Sequence, residues 1–174
     1  MEPEFEFSRP FALADLGDGE AAMEIAANSG ERAALARRFG LVALVTLTAT
    51  VRLRRVGNGV VALDARCVAE VVQSCVVTLE PVAARLDEAW SISFAPPASA
   101  ARDDVTVAPA EEDEPEALCG DTIDVGEVVA AHVGLALDPY PRRPGAVFDA
   151  PPTEGSDDSP AASPFAALRD LHRK

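Results

Sequence analysis

The sequence predicts an α+β fold built on an antiparallel β-meander, and three observations carry that expectation. Residues 41–56, LVALVTLTATVRLRRV, alternate apolar and polar with a period of two. Asn58-Gly59 follows at once, a two-residue hairpin signal because both residues tolerate positive φ. The chain then alternates again through Val61, Leu63, Ala65, Cys67, Ala69 and Val71, and a third time through Val82, Ala84, Leu86, Trp90, Ile92 and Phe94. Long half-buried strands joined by tight turns make a meander, and two shorter helical patterns supply the layer that covers it.

The elements read in order. EFEFSRPF at the N-terminus alternates apolar and charged residues, as a short edge strand ended by Pro10. Met23, Ile25 and Ala27 alternate as a further strand up to Asn28-Ser29-Gly30. Ser29 is placed to cap a helix near 30–39, with Glu31 early, Arg37 and Arg38 late, and Gly40 just past its end. In the first long strand Leu41, Ala43, Val45, Leu47, Ala49, Val51 and Leu53 share the core face, and Thr46, Thr48, Thr50, Arg52 and Arg54 share the other. In the third strand Glu88 is the one charged exception on the apolar face, and Pro96-Pro97 ends the strand. Every charged residue from 103 to 127 is acidic, and Pro109 and Pro115 interrupt the stretch, so a flexible, solvated loop is expected over about 98–120. Asp124 then caps a helix over 124–137 with Val125, Val128, Val129 and Val133 on its apolar side, stopped by Asp138-Pro139-Tyr140-Pro141. A single α+β domain is therefore expected over 1–148. A disordered tail is expected over 149–174, with one amphipathic segment at 163–174: Ser163 caps, Pro164 fits the first helical position, and Phe165, Leu168 and Leu171 form a stripe.

Composition narrows the function. The chain has 174 residues, 48% hydrophobic, with 15 basic against 29 acidic side chains and a net charge of −14. Such a balance repels nucleic-acid backbones and anionic lipid at long range and favours a basic protein partner. No apolar run reaches the roughly 20 residues of a membrane span, and the acidic N-terminus lacks the pattern of a secretory signal. Three cysteines at irregular spacing, Cys67, Cys75 and Cys119, predict reduced thiols and a cytoplasmic protein.

No constellation for catalysis is visible. There is no glycine-rich phosphate loop, since Gly57-Asn58-Gly59 is a hairpin turn. The two histidines are His132, four residues from Val128 and partly packed, and His172 in the tail. The acidic residues form a solvated tract rather than an acid–base pair. A structural zinc site needs four ligands in close pairs. Cys67 is in phase with the core residues of its strand, and Cys75, in VVQSCVVTLEP, lies where a turn must begin. No metal and no cofactor are expected. Arg52, Arg54 and Arg55 are candidates for RNA contact on the polar strand face, though a charged solvent-facing surface explains them as well and no aromatic side chains are interleaved.

The run LDARCVAEVVQSCVVTLEPVAARLDEAWSISFAP, the acidic loop, DTIDVGEVVAAHVGLALDPYPRRPGAVF and the closing SPFAALRDLHRK follow in an order that resembles the YceD family of large-ribosomal-RNA-subunit accumulation proteins. The specific stretches are Gln73-Ser74-Cys75, Ile123-Asp124-Val125-Gly126-Glu127, Leu137-Asp138-Pro139-Tyr140-Pro141 and Pro164-Phe165-Ala166-Ala167-Leu168. The resemblance implies a role in large-subunit ribosomal RNA accumulation and no catalytic residue. Many relatives place two cysteines around a two-residue turn where this chain has Val72-Gln73-Ser74-Cys75, so one retained cysteine implies no zinc site here and Cys75 is expected as a turn residue.

The resulting expectation is a non-enzymatic ribosome-biogenesis factor. Asp103, Asp104, Glu111, Glu112, Asp113 and Glu114 would engage a basic ribosomal or assembly protein, and Phe165, Leu168 and Arg169 would dock on a partner or on the large-subunit precursor particle. The alternatives are direct RNA binding through Arg52, Arg54 and Arg55, and an enzyme whose site is not recognisable from sequence.

Overall fold

A computed structural model describes residues 5–17, 19–57, 59–96, 115–118 and 120–148. Among these residues, seven strands and two helices follow in order: β1 (Pro10–Ala12), β2 (Glu20–Ala26), α1 (Ser29–Phe39), β3 (Ala43–Gly57), β4 (Val60–Ser74), β5 (Pro81–Ala95), β6 (Glu116–Ala117), β7 (Thr122–Asp124) and α2 (Val125–Ala136). The main sheet has the order β2-β3-β4-β5-β6, antiparallel except for the parallel β5–β6 pair. β1 and β7 form a small second sheet. The α+β meander expected from the alternation is the observed fold. Chain contacts divide it into one unit over Met1–Pro144, which holds all these elements, and a second over Gly145–Lys174.

The core lies between one face of the main sheet and the helices. Leu47, Val51, Leu53, Val61, Leu63, Cys67 and Val71 from β3 and β4 are fully buried, together with Leu35 of α1 and Val125, Val129 and Val133 of α2. Each such aliphatic side chain contributes about 1.5–3 kcal/mol by leaving water. β4 keeps the expected alternation from Leu63 to Val71. β3 does not. Its register with β4 shifts between Leu44 and Thr46, so Leu44 is buried and Val45 is turned out to solvent. The extra residue of this bulge reverses the phase expected for Ala43 and Val45.

Three other local expectations are corrected. Pro10 opens β1 instead of ending a strand, because an edge position with no ladder partner for its nitrogen tolerates proline. Before it, Phe7 is wholly buried. The cap of α1 is Asn28, one residue earlier than Ser29: its side chain accepts from Glu31 N at 3.0 Å while Glu31 Oε2 accepts from Asn28 N at 2.7 Å, a complete capping box. Of the stretch expected as a loop over about 98–120, Glu116 and Ala117 form β6 beside Phe94 and Ala95, and Leu118 is buried. The other two helix-boundary expectations hold: Gly40 ends α1 in the left-handed conformation at φ 66°, and Asp124 caps α2, accepting from Glu127 N at 3.1 Å.

Candidate functional site

Of the stretches that carried the family resemblance, the three among the described residues gather at the two ends of α2. At its N-terminus Asp124 does more than cap. Its carboxylate also accepts from Arg9 N at 2.8 Å and Ser8 Oγ at 2.5 Å, and Val125 N donates to Arg9 O at 3.0 Å. The N-terminal segment is thereby laid across the first turn of the helix. It passes so close that a Cβ on Gly126 would meet Phe7 O at 2.1 Å. Arg38, at the end of α1, closes the same corner with a bidentate ion pair to Glu127 at 2.6 and 2.8 Å and a contact to Glu6 at 3.2 Å.

At the far end, the turn after β4 is sewn to the segment that follows α2. Gln73 Nε2 donates to Asp138 O at 2.8 Å, and Val76 N donates to Pro141 O at 2.9 Å. Arg143 forms an ion pair with Glu80. Cys75 is buried at the centre. Its sulfur accepts from the backbone N–H groups of Val77, Thr78 and Arg143, each at 3.4 Å. The Arg143 amide, then the Thr78 hydroxyl and amide, and the Val77 amide favour the thiolate over the opposing cost of burial and bring the thiol down to about 6. Cys75 is therefore a turn residue, as expected, but one whose sulfur organises the turn by hydrogen bonding instead of only filling space. Leu79, on the same turn, is held at φ 61° by its N–H to Cys75 O at 2.9 Å. The spacing of the sequence offered no sign of this, because one of the three donors comes from residue 143.

The candidate arginines do not converge. Arg52 lies 3.7 Å from Glu20 and Arg54 lies 3.3 Å from Asp64, both on the sheet face opposite the described helices. Arg55 turns away and donates to Gly17 O at 2.6 Å and Leu13 O at 2.9 Å, closing the short 3-10 turn at Leu13–Leu16. That face carries two open grooves of about 540 and 660 Å³ that share Thr50 and Arg66, and neither is lined by a histidine or a cysteine. Arg66 itself is bound to Asp87 at 2.8 and 3.0 Å.

On the opposite face, His132, expected on the helix surface or partly packed, is partly packed. Its ring stacks on Trp90 at 4.3 Å with planes 8° apart, and its Nδ1 donates to Val128 O at 2.9 Å. Trp90 Nε1 is buried with no hydrogen-bond partner among the described residues. Cys67 is buried against the core, and burial pushes its thiol up. Among the described residues no group of three or more His, Cys, Asp or Glu side chains is arranged to hold a metal ion, and no helix is long and apolar enough to cross a membrane. Asp103, Asp104, Glu111, Glu112, Asp113, Glu114, Phe165, Leu168 and Arg169 lie outside the described residues, as does Cys119.

Compared with known proteins, residues 63–172 match the family described as Large ribosomal RNA subunit accumulation protein YceD. No curated protein and no solved structure matches the chain. The matched span is more than half of the sequence and contains β5, β7, α2 and most of residues 163–174: the chain belongs to the YceD family.

Proposed function

We propose that the chain is a non-enzymatic, cytoplasmic ribosome-biogenesis factor that supports accumulation of large-subunit ribosomal RNA through contacts with a ribosomal or assembly protein or with the precursor particle. Membership of the YceD family carries the process. The engagement of the candidate arginines supports protein contact over direct RNA binding. Arg54 faces Asp64, Arg55 is spent on backbone carbonyls, and Arg52 stands beside Glu20, so the three do not present a shared cationic surface to a phosphate backbone. A net charge of −14 acts in the same direction. The acidic run 103–116 supplies the complement for a basic partner, and 163–174 docks as an amphipathic segment.

The test is co-sedimentation of the full chain with large-subunit precursor particles, with and without ribonuclease and across a salt series. Association that weakens steeply with salt and is lost on deletion of 163–174, with the fold retained, supports the reading. Association unchanged by the deletion removes the tail from the mechanism, and a flat salt dependence removes the acidic run. Tight, saturable binding of the isolated chain to large-subunit RNA fragments, abolished by Arg52→Ala and Arg54→Ala, would replace protein contact with direct RNA recognition.

A further inference from the structure

We propose that the groove between α1 and the start of β3 is the docking site for an acidic amphipathic helix of a partner protein. This surface is separate from the acidic run, and the inference goes beyond the reading above without depending on it. The groove is open and about 440 Å³ in volume, and every residue that lines it falls between Ser29 and Val45, a stretch described without interruption. Ala36 and Leu44 line it from the buried side, whereas Val42 and Val45 are 59% and 48% exposed.

Two local devices hold the valines out. Leu41 N donates back to Ala36 O at 2.9 Å and Val42 N donates to Val72 O at 2.8 Å, which fixes the turn between helix and strand. The register shift between Leu44 and Thr46 then turns Val45 to solvent, where plain alternation would have buried it. A single exposed valine needs no explanation. Here two stand on one groove together with Ala33 and Leu41, and they form an apolar patch.

The charges around the groove select its occupant. Arg32 and Arg37 line it, and no acidic residue does. Arg32 donates one N–H to Ala27 O at 2.7 Å, and the Arg37 side chain has no ion pair or hydrogen bond among the described residues. Acids beside these elements are engaged elsewhere: Glu31 is held by Arg9 and by the cap of α1, and Glu70 lies opposite Arg85. The groove is therefore a cationic, aliphatic site on a chain of net charge −14, whose distant charges are screened beyond about 8 Å at physiological salt. No aromatic side chain lines it, so it offers no stacking platform for a nucleic-acid base. A helix with an aliphatic stripe flanked by acids matches both features: the stripe covers Val42 and Val45, and the acids meet the arginines. Arg32 and Arg37 lie about 7.5 Å apart along the axis of α1, a span that two carboxylates one turn apart on the partner can reach. The closing segment of this chain, with Arg169, Arg173 and Lys174, carries the wrong charge for the site.

The experiment uses the full chain and a fluorescent helical peptide of leucine, alanine and glutamate, about 16 residues long so that it holds a helix, followed by anisotropy and amide chemical shifts. Saturable binding with the largest shifts within residues 29–45 is expected. Affinity should fall about tenfold or more in Arg37→Glu and in the double variant Val42→Ser, Val45→Ser. A chain carrying Arg32→Glu and Arg37→Glu should reject the glutamate peptide and accept the same peptide with lysine in place of glutamate, an exchange that a loss of fold does not produce. If the serine variant does not fold, this charge swap alone decides. Absence of binding, shifts elsewhere, or a charge swap without effect overturns the proposal. Three other occupants would overturn it as well. Self-association in sedimentation that Val45→Ser abolishes gives the groove to a second copy. Equal binding of an oligouridylate that Arg37→Glu abolishes gives it to RNA. Peptide binding that tightens about tenfold once the acids of 103–114 are changed to amides gives it to the chain's own acidic run.

Discussion

Two glycines of α2 make opposite predictions for the same substitution. In an exposed helix, Gly→Ala is stabilising by up to about 1 kcal/mol, because alanine loses less backbone entropy on folding. At Gly126 a Cβ would lie 2.1 Å from Phe7 O, 2.9 Å from Phe7 C and 3.0 Å from Arg9 N, all of them backbone atoms. The N-terminal segment would have to retreat by nearly an ångström. Phe7, wholly buried, would be pulled from the core, and Arg9 N would leave Asp124. Overpacking of this kind costs about 1–3 kcal/mol, and the lost hydrogen bond adds about 1. Offset by the propensity gain of up to about 1 kcal/mol, Gly126→Ala should destabilise by about 1–3 kcal/mol, a melting point lower by about 2–12 °C for a chain of this size. At Gly134 the nearest atom is the ring Cε1 of Phe39 at 3.1 Å, a side chain able to turn aside. Gly134→Ala should leave the melting point unchanged or raise it. Thermal unfolding followed by circular dichroism decides: if Gly126→Ala melts with the wild type, the N-terminal segment does not lie against α2 as described.

Other perturbations probe the same frame. Asp124→Ala removes a helix cap and two ties to residues 8 and 9, and should cost about 2 kcal/mol in urea denaturation, most of it absent in Asp124→Asn. A double-mutant cycle on Arg38→Ala and Glu127→Ala should give a coupling of about 0.5–1 kcal/mol that shrinks with added salt, since both side chains are partly exposed. The thiol of Cys75 sits at about 6 in the folded chain, held there first by the Arg143 amide. An acid lowered by folding contributes stability that is fully present above its unfolded range, near 8.5, and lost as pH falls through about 6. The urea midpoint of wild type should therefore exceed that of Cys75→Ala by a margin that widens from pH 5.5 to pH 9. A margin independent of pH would mean that the sulfur is not held as thiolate.

How much of this was legible depended on the range of the interaction. β3 and β4 were visible because one face of each is buried and the other more exposed, so Leu47 to Leu53 and Leu63 to Val71 keep strict alternation. The bulge at Val45 was not, because Leu44 and Val45 are both apolar and either phase satisfies the pattern. β1, β6 and β7 have three residues or fewer, too short for any period to register. The cap of α1 was misplaced by one residue because Asn28 and Ser29 are both good caps, and only the return bond from Glu31 separates them. Arg55 was grouped with Arg52 and Arg54 by adjacency, yet its partners are carbonyls about forty residues away in sequence, which no local pattern encodes. The same holds for Cys75, whose apolar neighbours announced a turn and whose third donor did not.

The described residues that carried the resemblance serve mainly to place α2. Ile123 to Glu127 pin its first turn to the N-terminal segment and to α1, while Gln73, Cys75 and the stretch from Asp138 to Arg143 fasten its exit to the end of β4. With both ends held, the helix lays Val125, Val129 and Val133 over β4 and sets His132 against Trp90, yet it leaves Leu86 and Ile92 half-covered. A helix clamped at two points cannot slide to finish the core at β5. Among the described residues, the half-burial of Leu86 and Ile92 thus follows from these two clamps. Releasing one clamp tests the link: Gln73→Ala frees the carbonyl of Asp138, and should speed amide exchange in the last turn of α2 and weaken the Trp90–His132 stack, read as a change in tryptophan fluorescence. Unchanged fluorescence and exchange would show that α2 is positioned by its buried valines alone, and that the half-burial of Leu86 and Ile92 has another cause.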